Sequence, residues 1–81
     1  MTKQEKLLAK AINNPNGLSF SDFVTLMSRL GWIMDHQTGS HQIWFSPQGF
    51  RISVQNRHGN AKGYQVKQFL ARLEEENKNA Q

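Results

Sequence analysis

The chain has 81 residues, no cysteine and a formal net charge of +4. A chain of this length buries only about 60–65% of its unfolded surface, and the lack of cysteine excludes a disulfide framework and a thiolate metal site. No segment approaches the roughly 18 consecutive apolar residues of a membrane-spanning helix, and Met1–Lys10 lacks the apolar part of a secretion signal. We therefore expect one cytoplasmic domain over residues 1–81, with no membrane partner.

Two helices are predicted first. Each has an apolar stripe at helical spacing: Leu7, Leu8, Ala11 and Ile12 in the first, and Phe23, Leu26, Met27 and Leu30 in the second. The first helix is predicted over residues 2–12, and the turn-forming segment Asn13–Gly17 ends it. Ser19 is a suitable N-cap for the second helix, and Gly31 suits the position just after its end.

Three strands and a last helix are predicted next. From Trp32 the apolar period changes to two, which indicates strands over residues 32–37, 41–46 and 50–55 in a meander. A polar loop over residues 57–63 then leads into a helix over residues 64–76. We expect residues 77–81 to fray, because three glutamates near that end oppose the helix dipole.

Together these elements predict an α+β fold. Residues 19–76 would form an αβββα core like that of double-stranded-RNA-binding domains: a three-stranded antiparallel sheet with helices on one face, plus the extra N-terminal helix. Strand alternation places His41 on the side of Ile43 and Phe45, with one edge toward the core. The open face is then expected to carry Gln42, Trp44, Arg51, Ser53 and Gln55.

The basic side chains are concentrated in one part of the chain. Between His36 and Leu73 there is no Asp or Glu, whereas five basic residues fall there: Arg51, Arg57, Lys62, Lys67 and Arg72. A region of one charge sign attracts polyanions, and nucleic acid is the commonest such partner. A surface that is merely solvated, or that docks an acidic protein, is the alternative interpretation.

His41 is the main candidate for acid–base chemistry, because histidine changes charge near neutral pH and this one stands beside a hairpin turn. A purely structural hydrogen bond to that turn is the alternative.

His58 and Lys62 precede the last helix, whose free N–H groups favour a bound phosphate, and Lys67 would add positive charge. Trp44 on the open face is suited either to stacking on a base or to a protein interface.

The missing residue types limit the chemistry. The basic stretch has no clustered carboxylates of the kind that metal-dependent nucleases use, and scattered histidines without cysteine make a poor zinc site. We therefore expect no cofactor. A nuclease that uses no metal would act on RNA, because DNA lacks the 2′-hydroxyl that permits internal attack. A histidine would remove the proton of this hydroxyl, and the attack would leave a cyclic phosphate.

Several short motifs, in order, carry a resemblance to a known family. They are Asn14-Pro15, the helix Phe20–Gly31 ending in Leu30-Gly31-Trp32, the hairpin Gly39-Ser40-His41-Gln42-Ile43-Trp44-Phe45, and Ala61-Lys62-Gly63-Tyr64-Gln65-Val66-Lys67-Gln68. This arrangement resembles the HicA toxin family of type II toxin–antitoxin systems, over most of the chain.

The resemblance implies a toxin with a double-stranded-RNA-binding-domain-like fold and endoribonuclease activity on messenger RNA. It implies that His41 is catalytic, and that a HicB-like antitoxin covers the site and provides the only oligomeric assembly. The residues expected to bind RNA or its phosphates are Ser40, Lys62, Lys67, Arg51, Trp44 and His58. A non-catalytic RNA-binding module of the same fold is the alternative function.

Two features depart from the family pattern. Many members have a proline-containing segment with a histidine after the third strand, whereas Gln55-Asn56-Arg57-His58 has the histidine without the proline. The N-terminal helix also makes the chain longer than the shortest members. That helix is interpreted either as scaffold or as part of the antitoxin interface.

Overall fold

The computed structural model describes residues 2–79, with side chains up to residue 78. The elements in chain order are α1 (Lys3–Asn13), a 3-10 turn (Pro15–Gly17), α2 (Phe20–Arg29), β1 (Ile33–Thr38), β2 (His41–Phe45), β3 (Arg51–Arg57), β4 (Asn60–Ala61) and α3 (Gly63–Asn79). The α+β class and the additional N-terminal helix are confirmed, and the sheet gains a short fourth strand. None of the described helices is both long and apolar enough to cross a membrane.

Both ends of α2 are capped as predicted. The Ser19 hydroxyl oxygen accepts a hydrogen bond from the backbone N–H of Asp22 at 3.1 Å. At the other end, Gly31 has a φ of 90°, and the N–H of Trp32 donates to the carbonyl of Met27. This is a Schellman-type ending, in which a left-handed glycine satisfies the last carbonyls and turns the chain into β1.

Ser19→Ala is expected to lower the free energy of unfolding by about 1 kcal/mol, because the free N–H groups of α2 lose their side-chain acceptor. Ser21→Ala is the matched control, since Ser21 is exposed within the same helix and should change stability by less than ~0.5 kcal/mol. Equilibrium unfolding in urea measures both variants. Equal losses in the two would mean that the cap contributes nothing of its own.

The sheet is antiparallel, with the strand order β1-β2-β3-β4. In the β2–β3 pair, Trp44 lies opposite Ile52 and Gln42 lies opposite Val54. Residues directly opposite each other in an antiparallel pair have their side chains on the same face. Since Ile52 and Val54 belong to the core, Trp44 and Gln42 face the core as well.

The predicted orientation of β2 is therefore wrong. Trp44, which was expected on the open face, is only 7% exposed, and its indole N–H donates to Oε1 of Gln42 at 2.9 Å. His41, Ile43 and Phe45 lie on the opposite face, where His41 and Phe45 are exposed and Ile43 is buried. Because Ile43, Trp44 and Phe45 are three apolar residues in succession, alternation alone cannot choose a face, and the pairing with β3 decides it.

The hydrophobic core lies between the helices and the sheet. The side chains with no exposed surface in α2 and α3 are Phe23, Leu26, Met27, Val66 and Phe69. The ring centroid of Phe69 lies 5.7 Å from that of Phe23 and 5.1 Å from that of Trp32, both in edge-on geometry. Leu7 and Ala11 of α1 join the same cluster, so one face of α1 packs against the rest of the domain.

The segment predicted as a polar loop instead forms a tight hairpin. His58 and Gly59 have φ angles of 52° and 86°, as both central residues of a type I′ turn require, and they join β3 to β4. The usual Asn-Gly or Asp-Gly signal for this turn is absent, which is why the sequence did not reveal it. Helix α3 also continues to Asn79, past the predicted end at residue 76. Residues 80 and 81 of the predicted frayed tail lie outside the described residues.

Candidate functional site

His41 is the first residue of β2 and follows a two-residue turn. Gly39 in this turn has a φ of 60°, and Thr38 and His41 face each other across it. The side chain of His41 is exposed, and its partner on β3 is Gln55. The turn therefore presents an imidazole at the end of the sheet, where it is accessible for proton transfer.

A groove of about 480 Å³, here called the His41 groove, runs between the sheet and α3. Its walls include His41, Arg51, Ser53, Tyr64, Gln68 and Arg72. The last three are spaced four residues apart and thus form one stripe along α3. Tyr64 was not predicted as a site residue, because the position of α3 beside β3 was not evident from the sequence.

A second groove of about 490 Å³, here called the Lys62 groove, also borders Tyr64. Its walls include Arg57, His58 and Lys62. Tyr64 lines both grooves, so the two meet at its side chain. The Nζ atom of Lys62 lies 5.8 Å from the centroid of the Tyr64 ring, within cation–π range.

Hydrogen bonds connect the start of α3 to the strand beside His41. Gln65 is 4% exposed; its Oε1 accepts from the backbone N–H of Gln55 at 2.8 Å, and its Nε2 donates to the Tyr64 hydroxyl at 3.3 Å. The side-chain amide of Gln55 in turn donates to the Ser40 hydroxyl at 3.4 Å. The buried amide of Gln65 therefore fixes Tyr64 relative to β3, the strand that pairs with His41.

Three cations of the two grooves form no ion pair with a described acidic side chain. Within residues 2–78, no carboxylate forms an ion pair with Arg51, Arg57 or Lys62. Arg72 does have such a partner, Glu75, at 3.3 Å. Three unpaired and accessible cations favour a bound polyanion, and guanidinium groups are well suited to phosphate oxygens.

Within the described part of the chain, no three side chains of His, Asp or Glu are grouped so that they could hold a metal ion. His36 and Asp35 of β1 do make a close contact, with 2.7 Å between Nδ1 and Oδ2. Both are exposed, and neither lines the His41 groove or the Lys62 groove. His36 was given no role from the sequence.

Five of the predicted site residues lie at or near the two grooves. His41 and Arg51 share the His41 groove, and His58 and Lys62 share the Lys62 groove. Ser40 lies next to His41 in the turn and lines a shallow depression together with His58. Four of them therefore lie at one end of the sheet and the start of α3. Arg51 lies at the other end of the β2–β3 ladder, opposite Phe45.

The other two predicted site residues lie elsewhere. Lys67 lines an apolar cleft between α1 and α3, together with Ile12 and Leu70. Trp44 lies in the core, on the face of the sheet opposite to His41. Neither side chain faces the His41 groove.

One protein-family model matches most of this structure. The family is described as HicA toxin of bacterial toxin-antitoxin, and the match covers residues 20–74. These residues extend from the start of α2 into α3 and include the basic and aromatic walls of both grooves, whereas α1 lies outside the match. No curated protein and no solved structure matches the chain.

Proposed function

Because the chain belongs to the HicA toxin family, the toxin side of a bacterial toxin–antitoxin pair, we propose that it is a metal-independent endoribonuclease that cleaves messenger RNA. The observation that carries this proposal is the exposed His41 in one groove with Arg51, which has no acidic partner among the described side chains. The toxin acts in the cytoplasm. A HicB-like antitoxin covers the groove and keeps the toxin silent.

His41 acts as the base in this mechanism. It removes the proton of a ribose 2′-hydroxyl, the freed oxygen attacks the adjacent phosphorus, and the bond from phosphorus to the 5′-oxygen breaks. The products are a 2′,3′-cyclic phosphate and a 5′-hydroxyl. The 5′-oxygen takes up a proton from water, and the hydroxide that remains removes the proton from His41, so that the base is regenerated and protons balance. Arg51 lines the same groove, opposite Phe45 on the β2–β3 ladder, and its guanidinium attracts the RNA phosphates into the groove.

The remaining cations hold the RNA backbone. Lys62 and His58 of the Lys62 groove bind phosphates beyond the cleaved bond, and Ser40 donates its hydroxyl to a phosphate oxygen near His41. Such contacts contribute affinity that depends on salt but not on sequence. Lys67 and Trp44 take no part, because one lies in the cleft beside α1 and the other is buried.

The purified protein is expected to cleave a labelled single-stranded RNA at the same rate in excess EDTA as in buffer with added Mg²⁺, because no step uses a metal. Cleavage that appears only with Mg²⁺ would contradict the mechanism. RNA that is bound but left intact under both conditions would favour the non-catalytic RNA-binding module. Boiled protein and a mock purification from cells without the expression plasmid control for contaminating ribonuclease.

A further inference from the structure

The two basic grooves meet at one aromatic side chain. We propose that Tyr64 is a stacking platform for an unpaired RNA base, and that the bound strand passes from the His41 groove over Tyr64 into the Lys62 groove. This inference rests on the endoribonuclease function proposed above. It adds a base-binding subsite and specifies single-stranded RNA as the substrate.

The exposure of Tyr64 supports this assignment. With 57% of its surface exposed, Tyr64 is the most exposed aromatic residue among residues 2–78. Phe69 and Trp32, by contrast, are 0% and 2% exposed. An exposed ring between basic groups is the arrangement by which proteins bind single-stranded nucleic acid, since bases stack on the ring while cations hold the backbone.

The ring is also held in place before any ligand binds. Its hydroxyl accepts a hydrogen bond from Gln65, and Gln65 is itself buried and bonded to the backbone of Gln55 in β3. A side chain that is already oriented loses less conformational freedom on binding. Tyr64 is therefore a more suitable platform than a freely rotating surface aromatic residue.

Cations line both of the grooves that border the ring. Arg51 lines the His41 groove, and Arg57 and Lys62 line the Lys62 groove. In a single strand, each base is flanked by two phosphates, so a cation–aromatic–cation order fits one nucleotide and its neighbours. Because His41 shares a groove with Tyr64, the cleaved phosphate adjoins the stacked nucleotide.

Stacking of a base on Tyr64 requires an unpaired base, which recognition of double-stranded RNA does not. A double-stranded-RNA-binding domain reads the shape and backbone of a helix, whose bases are paired and stacked on each other. A platform on Tyr64 needs a base that is free to leave such a stack. The chain should thus prefer single-stranded RNA in spite of its fold.

The test measures RNA binding in the His41→Ala background, so that the probe stays intact. A fluorescently labelled single-stranded RNA should bind the Tyr64→Leu variant with a Kd raised about 5- to 150-fold, which corresponds to ~1–3 kcal/mol for one stacked base. Tyr64→Trp, which keeps an aromatic face, should bind within ~2-fold of the parent or more tightly. Phe45→Ala is the control, since Phe45 is exposed but lines neither groove.

Parental affinity in a folded Tyr64→Leu variant would overturn the inference, as would equal affinity for duplex and single-stranded RNA. If Tyr64→Leu does not fold, weakened binding by Tyr64→Trp would overturn it. Failure of the endoribonuclease proposal looks different: the wild type, with its Tyr64 and His41 in place, then leaves RNA intact. Failure of the inference alone leaves wild-type cleavage unchanged and removes only the effect of Tyr64.

Discussion

His41→Ala is expected to lower the rate of RNA cleavage by about 10²–10⁴-fold, the range that a positioned general acid or base contributes. The loss follows because the 2′-hydroxyl then has no base within the groove. RNA affinity should persist, since Arg51 and Lys62 remain in place. Single-turnover cleavage of a labelled RNA, with protein in excess, separates this loss of rate from any change in binding.

His36→Ala is the matched control for that experiment. His36 is an exposed histidine on the neighbouring strand, pairs with Asp35 and lines neither groove. Its removal should leave the cleavage rate unchanged, whereas a comparable loss in both variants would point to a general effect of surface charge. Full activity in a folded His41→Ala variant would show that His41 is structural.

Trp44→Ala is expected to lower the free energy of unfolding by about 3–5 kcal/mol, as when large aromatic side chains are removed from other cores. Trp44 is 7% exposed, packs in the core and donates its indole N–H to Gln42. Small domains have only about 5–15 kcal/mol of stability. The melting temperature should therefore fall by more than ~10 °C, which circular dichroism measures directly.

Tyr64→Ala provides the comparison for Trp44→Ala. Its side chain is largely exposed, so the loss of stability should stay below ~1 kcal/mol. The two aromatic residues thus separate stability from RNA binding: Trp44 governs the first and Tyr64 the second. A Trp44→Ala variant that melts like the wild type but binds RNA poorly would contradict this account. It would support the orientation of β2 that alternation predicted, with Trp44 on the open face.

Local signals in the sequence were sufficient for most of the fold. The stripe of Phe23, Leu26 and Met27 placed α2, and Ser19 and Gly31 marked its ends because caps depend on the chemistry of single residues. The face of β2 was a different matter. It depends on which residue of β3 lies opposite Trp44. An uninterrupted apolar segment does not indicate this long-range register, because it shows no alternation between polar and apolar residues.

The candidate site was only partly evident from the sequence. His41 was identified because the Gly39–Ser40 turn and the family motif both pointed to it. Tyr64 was not identified as a wall of the groove, since its position depends on how α3 lies along β3. The contact that fixes this placement joins the side chain of Gln65 to the backbone of Gln55, and no local pattern predicts it.

The most direct test of metal-free cleavage by His41 is to determine the ends of the RNA fragments that wild type and His41→Ala release in excess EDTA. Mass spectrometry distinguishes a 2′,3′-cyclic phosphate from a 3′-hydroxyl end. Attack by the 2′-hydroxyl with His41 as base predicts cyclic phosphate ends from the wild type and no fragments from a folded His41→Ala. Fragments with 3′-hydroxyl ends, or the same fragments from both proteins, would contradict it.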